Sequence, residues 1–414
     1  MAIYDIAVIG AGAAGTIAAI RAGQHKKHVA LIERNDAIGR KILLTGKGRC
    51  NITNTAPIDE LIEKFQDSGK FLRSAFTVFD KEDLAEFFGK KGLEFKTERQ
   101  GRIFPATDNA ISVVKVLNEY LNENNVEIVY NSRVTHIETA AGPFRLRMEG
   151  GELLQASKVI LATGGASYGA TGSSGDGFRI ARELGHTIVP LKPGLVPLKT
   201  KEQWVKDVQG LTLKNVRLVF VCRKTRIVST IGELLFTHFG ISGPLVLDLS
   251  HRIVLLLDAH DKVELFIDLK PGLTVEQIEK KMLEEIKKSG RKELKSLLKI
   301  FLPSSLIPVI AMLLGLDIGK KISQITQDER SNMVKLFKAL PLSVTGYLPI
   351  EEAMVTGGGV SLKEIDPRTM ESKVAHGLYL AGEVIDGCAA SGGYNLQQAF
   401  STGYLAGEAA ACAK

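Results

Sequence analysis

Cysteine is scarce and scattered: Cys50, Cys222, Cys388 and Cys412 are the four in a chain of 414 residues, and no two form a CxxC pair. That excludes a disulfide scaffold, a metal knuckle and a dithiol redox centre, and it fits folding in a reducing cytoplasm. Long apolar runs are missing too. The most apolar later stretch, 306–316, is interrupted by Pro308 and falls well short of the about 20 residues needed to span a bilayer, so no membrane partner is expected. The first apolar strand begins by Asp5, so no secretory leader is expected. Charge of one sign does not stand out either: 53 Lys and Arg against 46 Asp and Glu give a net +7, with the two signs mixed along the chain. No nucleic-acid partner is therefore expected. What remains is ordinary globular material, 45% hydrophobic and 24% charged, long enough for two or three domains.

The most informative stretch is DIAVIGAGAAGTIAAIRAGQHKKHVALIE, residues 5–33. Asp5 to Ile9 is the apolar run of a strand buried on both faces, and it leads directly into Gly10, Gly12 and Gly15 in a GxGxxG turn. In such a turn the first glycine permits the bend, the second lets backbone approach a pyrophosphate, and the third lets helix pack on strand. A helix over 13–24, opening with Ala13 and Ala14, then aims its free N–H groups and positive dipole end at that pyrophosphate. The following strand ends at Glu33, about 20 residues on, where a carboxylate accepts the hydroxyls of an adenosine ribose. An acid rather than an arginine there favours a ribose without a 2′-phosphate, and Arg34 beside it is counted with the cofactor-binding residues.

The next segment, AIGRKILLTGKGRCNITN over 37–54, interleaves glycines with Arg40, Lys41, Lys47 and Arg49. Such a flexible cationic backbone can lie along a diphosphate and a flat ring. With GELLFTHFGISGP (232–244), VTGGGVSLKEIDP (355–367) and GLYLAGEVIDGCAASGGYNLQQAFSTGYLAG (377–407), this segment resembles the two-dinucleotide-fold flavoproteins. Within them it resembles the bacterial BaiN-like or aminoacetone-oxidase-like FAD-dependent oxidoreductases, over nearly the whole length.

The resemblance implies an α/β architecture: a Rossmann-like, glutathione-reductase-like FAD domain from 1–190 and 350–414. It is interrupted by a β-barrel-like domain (191–270 and 340–349) that itself carries a helical subdomain (271–339). Non-covalent FAD is implied, held further by Gly48, Arg49 and Asn51, by a backbone contact at Val134, and by Thr163, Gly164 and Gly165 of the ATGG turn. Gly382 and Glu383 stand where the wider group has Gly-Asp on the ribityl chain. Gly393, Tyr394, Asn395 and Leu396 open a helix toward the flavin's N1 and C2 carbonyl edge.

The reaction implied is hydride transfer between flavin N5 and a small organic substrate, an enone or oxo compound or an amine, with the inserted domain covering the open ring face. No second GxGxxG follows a strand, so either NAD(P)H visits the flavin as a transient reductant or the substrate itself reduces the flavin, which oxygen or another acceptor then reoxidises. The alternative is an RNA-associated or redox-sensing flavoprotein without small-molecule turnover. His238, Cys50 and Cys388 read as buried structural residues, and no metal site and no catalytic residue is named. Oligomeric state is not legible.

Overall fold

The structure is a computed structural model that describes residues 3–139 and 142–413. Strand Ile3–Ile9 is buried from Ile6 onward, and strand Val29–Ile32 is buried throughout, as both faces of a covered parallel sheet require. The two pair in parallel, and the seven-stranded sheet continues from Glu127–Val129 on one side to Leu153–Leu161 on the other. That last strand changes neighbours along its length. Its first half runs antiparallel to Phe144–Met148, itself paired with Val134–Glu138, and its second half runs parallel to Leu378–Leu380 from the far end of the chain.

The helix Ala13–Gln24 covers this sheet, and the C-terminal helix Tyr394–Cys412 packs on it at backbone distance. A Cβ on Gly403 would stand 2.2 Å from the Ala14 carbonyl oxygen, and one on Gly407 2.4 Å from that of Ala18. Glycine at both positions is what allows the crossing.

The chain divides into two compact units, residues 1–194 with 349–414, and Leu195–Leu348. In the first, Ile188–Gly194 pairs antiparallel with Val355–Val360 next to the points where the chain leaves and re-enters. The second contains a closed six-stranded barrel in the order Leu198–Thr200, Gly240–Ser242, Thr225–Thr237, Thr212–Cys222, Val263–Asp268 and Leu340–Tyr347. Closure pairs every strand on both sides. Helices Val275–Ser289, Leu294–Phe301, Ile307–Leu314 and Gln327–Lys338 share one apolar core with the barrel, joining Ile278, Leu297 and Phe337 to Leu218, Leu265 and Leu342.

Local pattern misplaces several boundaries. A single helix over 58–71 is expected, but Ile58–Lys64 ends at Phe65 and Gly69–Val78 begins a new one. Gln66 takes φ +51°, and Gly69 lies so close to the first helix that a Cβ would stand 2.0 Å from the Ile62 oxygen. The pieces expected at 226–230 and 234–236 are one strand, Thr225–Thr237, because barrel pairing carries it through Gly232. The helix Pro244–Ala259 is expected only under one reading of the 232–244 block, a strand and turn supporting a helix start, and the strand Val263–Asp268 is not expected from the pattern. Among the described residues no helix is long and apolar enough to cross a membrane.

Candidate functional site

A cleft with about 1270 Å³ of space between its atoms, part of it open to solvent, runs across the sheet of the first unit over the glycine turn. Its three glycines are there for three different reasons. Gly10 has φ +98°, and a Cβ would stand 2.6 Å from the Ala162 oxygen. At Gly15 a Cβ would overlap the Gly10 carbonyl oxygen at 1.8 Å. Gly12 is different. It is the N-cap of the first helix, with ordinary extended backbone (φ −79°, ψ −167°), and a Cβ there would meet nothing within 4 Å. Neither conformation nor packing calls for glycine at position 12, so the space beside it is the kind that a ligand occupies.

One end of the cleft is built around Glu33, which is 7% exposed. Its carboxylate accepts the Ala11 N–H at 2.8 Å and both the N–H and the side-chain amide of Asn35, at 2.9 and 2.7 Å. Arg34 turns away to donate to Ser174 Oγ at 2.6 Å and Asp176 Oδ2 at 3.2 Å. Arg133 grips the same Asp176 with two bonds of 2.7 and 2.9 Å. These bonds, that from Arg133 foremost, hold the Asp176 carboxyl below the ordinary carboxylate range in spite of its partial burial. Val134 lines the cleft beside Arg133.

The other group of contacts shares no residue with the first. Lys41 Nζ donates to Glu383 Oε2 at 2.7 Å and to Ser167 Oγ at 2.8 Å. Glu383 Oε1 accepts the Thr356 N–H at 2.7 Å and Ser167 Oγ at 3.0 Å. Glu383 therefore turns its carboxylate to Lys41 and the returning strand. Burial pushes its pKa up, but the Lys41 ammonium and these bonds outweigh that and leave it lowered. Met354, Val355, Asn395 and Leu396 line the cleft alongside.

Of the residues singled out from sequence, Gly10, Gly12, Ala13, Ala14, Glu33, Arg34, Arg40, Lys41, Val134, Thr163, Gly164, Gly382, Glu383, Asn395 and Leu396 line this one cleft. Gly15, Gly48, Arg49, Asn51, Gly165, Gly393 and Tyr394 are not among its lining residues. Arg49 is held by Glu98 at 2.7 Å and lies over the Phe104 ring at 4.1 Å, which ties its loop to the strand Arg102–Pro105. Asn51, with its amide oxygen turned toward the C-terminal helix, accepts the Gly393 N–H at 3.0 Å and so joins the two ends of the sequence. Gly165 makes space for Glu383, since a Cβ would stand 2.6 Å from Oε1.

Sequence reasoning missed Asn35, Arg133, Ser173, Asp176 and Gln398, all of which line the cleft. The Gly-Ser-Ser-Gly-Asp run at 172–176, opening the helix Asp176–Glu183, was the legible signal for two of them. Gln398 lacked one, because it reads as an ordinary residue of an amphipathic helix.

FAD fits this cleft on observations of the protein alone. Gly12 leaves room beside a helix N-terminus that no side chain caps. In addition, the Thr163 hydroxyl and the Gln398 amide nitrogen are buried at the cleft with no hydrogen-bond partner among the described residues, which is costly unless a ligand supplies one.

Comparison with known proteins agrees. The chain is 34% identical over 408 residues to a 3-dehydro-bile acid delta(4,6)-reductase of Clostridium scindens, covering 98% of each chain. It is 30% identical over 411 residues to a ribosomal RNA dihydrouridine synthase of Escherichia coli, covering 99% of each. In fold it is similar to 3-ketosteroid delta1-dehydrogenase from Sterolibacterium denitrificans, with a TM-score of 0.54 at 15% identity and full coverage of both chains. The model of one family matches residues 4–409. The chain is an FAD-dependent oxidoreductase with a Rossmann-like FAD fold, and it belongs to the family described as HI0933-like protein Rossmann domain.

Proposed function

We propose that this protein reduces a carbon–carbon double bond conjugated to a carbonyl group in a small organic molecule, with FAD bound in the cleft and NAD(P)H as a transient reductant. Bound FAD supplies a hydride acceptor and donor at N5, and the protein supplies position and electrostatics. The observation that carries the reading is whole-length similarity to a reductase whose named substrate is a 3-oxo compound with ring double bonds. The second relative's named product, dihydrouridine, is likewise a ring saturated beside a carbonyl, so one kind of chemistry covers both.

In this reading Glu33 and Asn35 hold the adenosine ribose, and the open space at Gly12 with the first helix N-terminus takes the diphosphate. The far end of the cleft, with Lys41, Glu383 and the first turn of the C-terminal helix, receives the flavin half. The buried Thr163 hydroxyl and Gln398 amide find their partners on the cofactor.

A second reading, reduction of a uracil ring within RNA, is favoured by one specific observation. The unit at 195–348 has 24 Lys and Arg against 16 Asp and Glu, a net +8, while the rest of the chain is close to neutral. The even mixing of charge expected from the sequence thus conceals an excess confined to one unit.

Anaerobic mixing with NADH or NADPH followed by candidate acceptors tests both. The proposed reading expects nicotinamide to bleach the flavin and a 3-oxo-4-ene steroid or a simple cyclic enone to restore its colour. Restoration by a uridine-containing RNA alone, with steep salt dependence, would establish the second reading in its place. Bleaching by an amine with neither nicotinamide reacting would overturn the reductase assignment.

A further inference from the structure

The second group of contacts in the cleft is centred on an ion pair that joins opposite ends of the chain. Lys41 comes from the short helix Arg40–Leu44 and Glu383 from the turn after strand Leu378–Leu380, with side chains 23% and 20% exposed. The carboxylate is held on both oxygens, by Lys41 on one and by Thr356 and Ser167 on the other. The ammonium uses two donors, on Glu383 and Ser167, and its third remains for the cleft that Lys41 lines.

The other cations at the cleft are differently placed. Arg34 and Arg133 are committed to Asp176 at the Glu33 end, and Arg40 to Asp36 at 2.5 Å. With the ribose at Glu33 and the diphosphate at Gly12, as proposed above, the other half of the dinucleotide would lie against the remaining lining of the cleft, which includes Lys41, Met354, Val355 and Glu383.

We propose that Lys41 sets the reduction potential of the bound flavin and that Glu383 is the residue that positions and balances it. The inference rests on FAD occupying the cleft as argued above. Uptake of two electrons and one proton leaves the flavin with one negative charge. A nearby cation favours that form and a nearby anion opposes it. In the wild-type protein the pair is neutral overall, so removing either partner exposes the charge of the other. The two removals therefore act in opposite directions.

The test is the midpoint potential at pH 8 of the flavin in the full-length holoprotein, from slow reduction against a reference dye. Lys41→Met leaves the Glu383 carboxylate uncompensated and lowers the potential. Glu383→Gln leaves the ammonium uncompensated and raises it. Each shift is at least tenfold in the ratio of reduced to oxidised flavin, or about 30 mV for this two-electron couple. The double variant returns to within that margin of wild type, as does Lys41→Arg.

If a variant releases its flavin, the same signs are read from dissociation constants of oxidised and reduced FAD: Lys41→Met weakens the reduced form more, and Glu383→Gln the oxidised form. Shifts of the same sign, or none, would overturn the proposal and leave the pair a packing device. A wild-type protein that binds no FAD would instead refute the cofactor assignment on which it rests.

Discussion

Gly12→Ala separates a glycine kept for a ligand from one kept for the fold. The new Cβ meets no protein atom within 4 Å and the backbone is in an extended region open to any residue, so the apoprotein has little to lose. Exchanging glycine for alanine at a helix N-cap costs about 0.5–1 kcal/mol. Restricting the unfolded chain returns about 0.4–1 kcal/mol. The apoprotein should therefore melt within about 3 °C of wild type.

FAD meets the methyl group where its diphosphate approaches the helix. Displacing it from one or two charge-assisted N–H bonds, each about 1.5–3 kcal/mol, raises the dissociation constant roughly ten- to a hundredfold or more. Gly15→Ala is the control, because its Cβ would lie 1.8 Å from the Gly10 carbonyl oxygen, and backbone against backbone cannot yield. It should cost the apoprotein about 3 kcal/mol in folding. The assays are thermal unfolding of both apoproteins and titration with FAD followed by quenching of its fluorescence. A Gly12→Ala protein that binds FAD within twofold of wild type, or that melts as early as Gly15→Ala, would refute the reasoning.

Glu33→Ala should both weaken FAD binding and destabilise the apoprotein by about 1–3 kcal/mol, since the Ala11 and Asn35 donors lose their acceptor; FAD titration and denaturant unfolding check the two effects separately. Asp176 has its carboxyl pKa lowered by Arg133, so its contribution is complete at neutral pH and is lost as pH falls below about 4. Asp176→Asn should flatten that limb of the stability–pH curve, and a curve unchanged in shape would show the bonds to be inert. Burial pushes the thiols of Cys50 and Cys388 up to about 12, whereas Cys412 is exposed. A thiol reagent at pH 8 should therefore label Cys412 first and reach the buried Cys50, Cys222 and Cys388 only on unfolding, and Cys388→Ala should leave flavin reduction unchanged; rapid labelling of Cys388 in the native protein would contradict its placement.

How much was legible follows from how local each cause is. The strand, turn, helix and acid over 5–33 are set by short-range rules: an unbroken apolar run, glycines in the turn where a Cβ is forbidden or unwanted, and a carboxylate at the next strand end. The helix expected over 13–24 is the one observed, Ala13–Gln24. The fold class was legible for the same reason, helped by a resemblance carried in motifs at both ends of the chain. Strands in the barrel were harder, because continuity through Gly232 and the existence of Val263–Asp268 depend on partners far away in sequence.

The amino-acid sequence by itself determined the dinucleotide turn and the acid beyond it, because each residue there acts on atoms within a few positions along the chain or directly on a ligand. Only the tertiary structure decided which charges face which. Arg34 was drawn off to Asp176, Arg49 to Glu98, and Glu383 toward Lys41, Ser167 and Thr356, over separations of up to 342 residues. A charged side chain takes the partner that packing brings within hydrogen-bond distance, and no spacing along the chain encodes that choice.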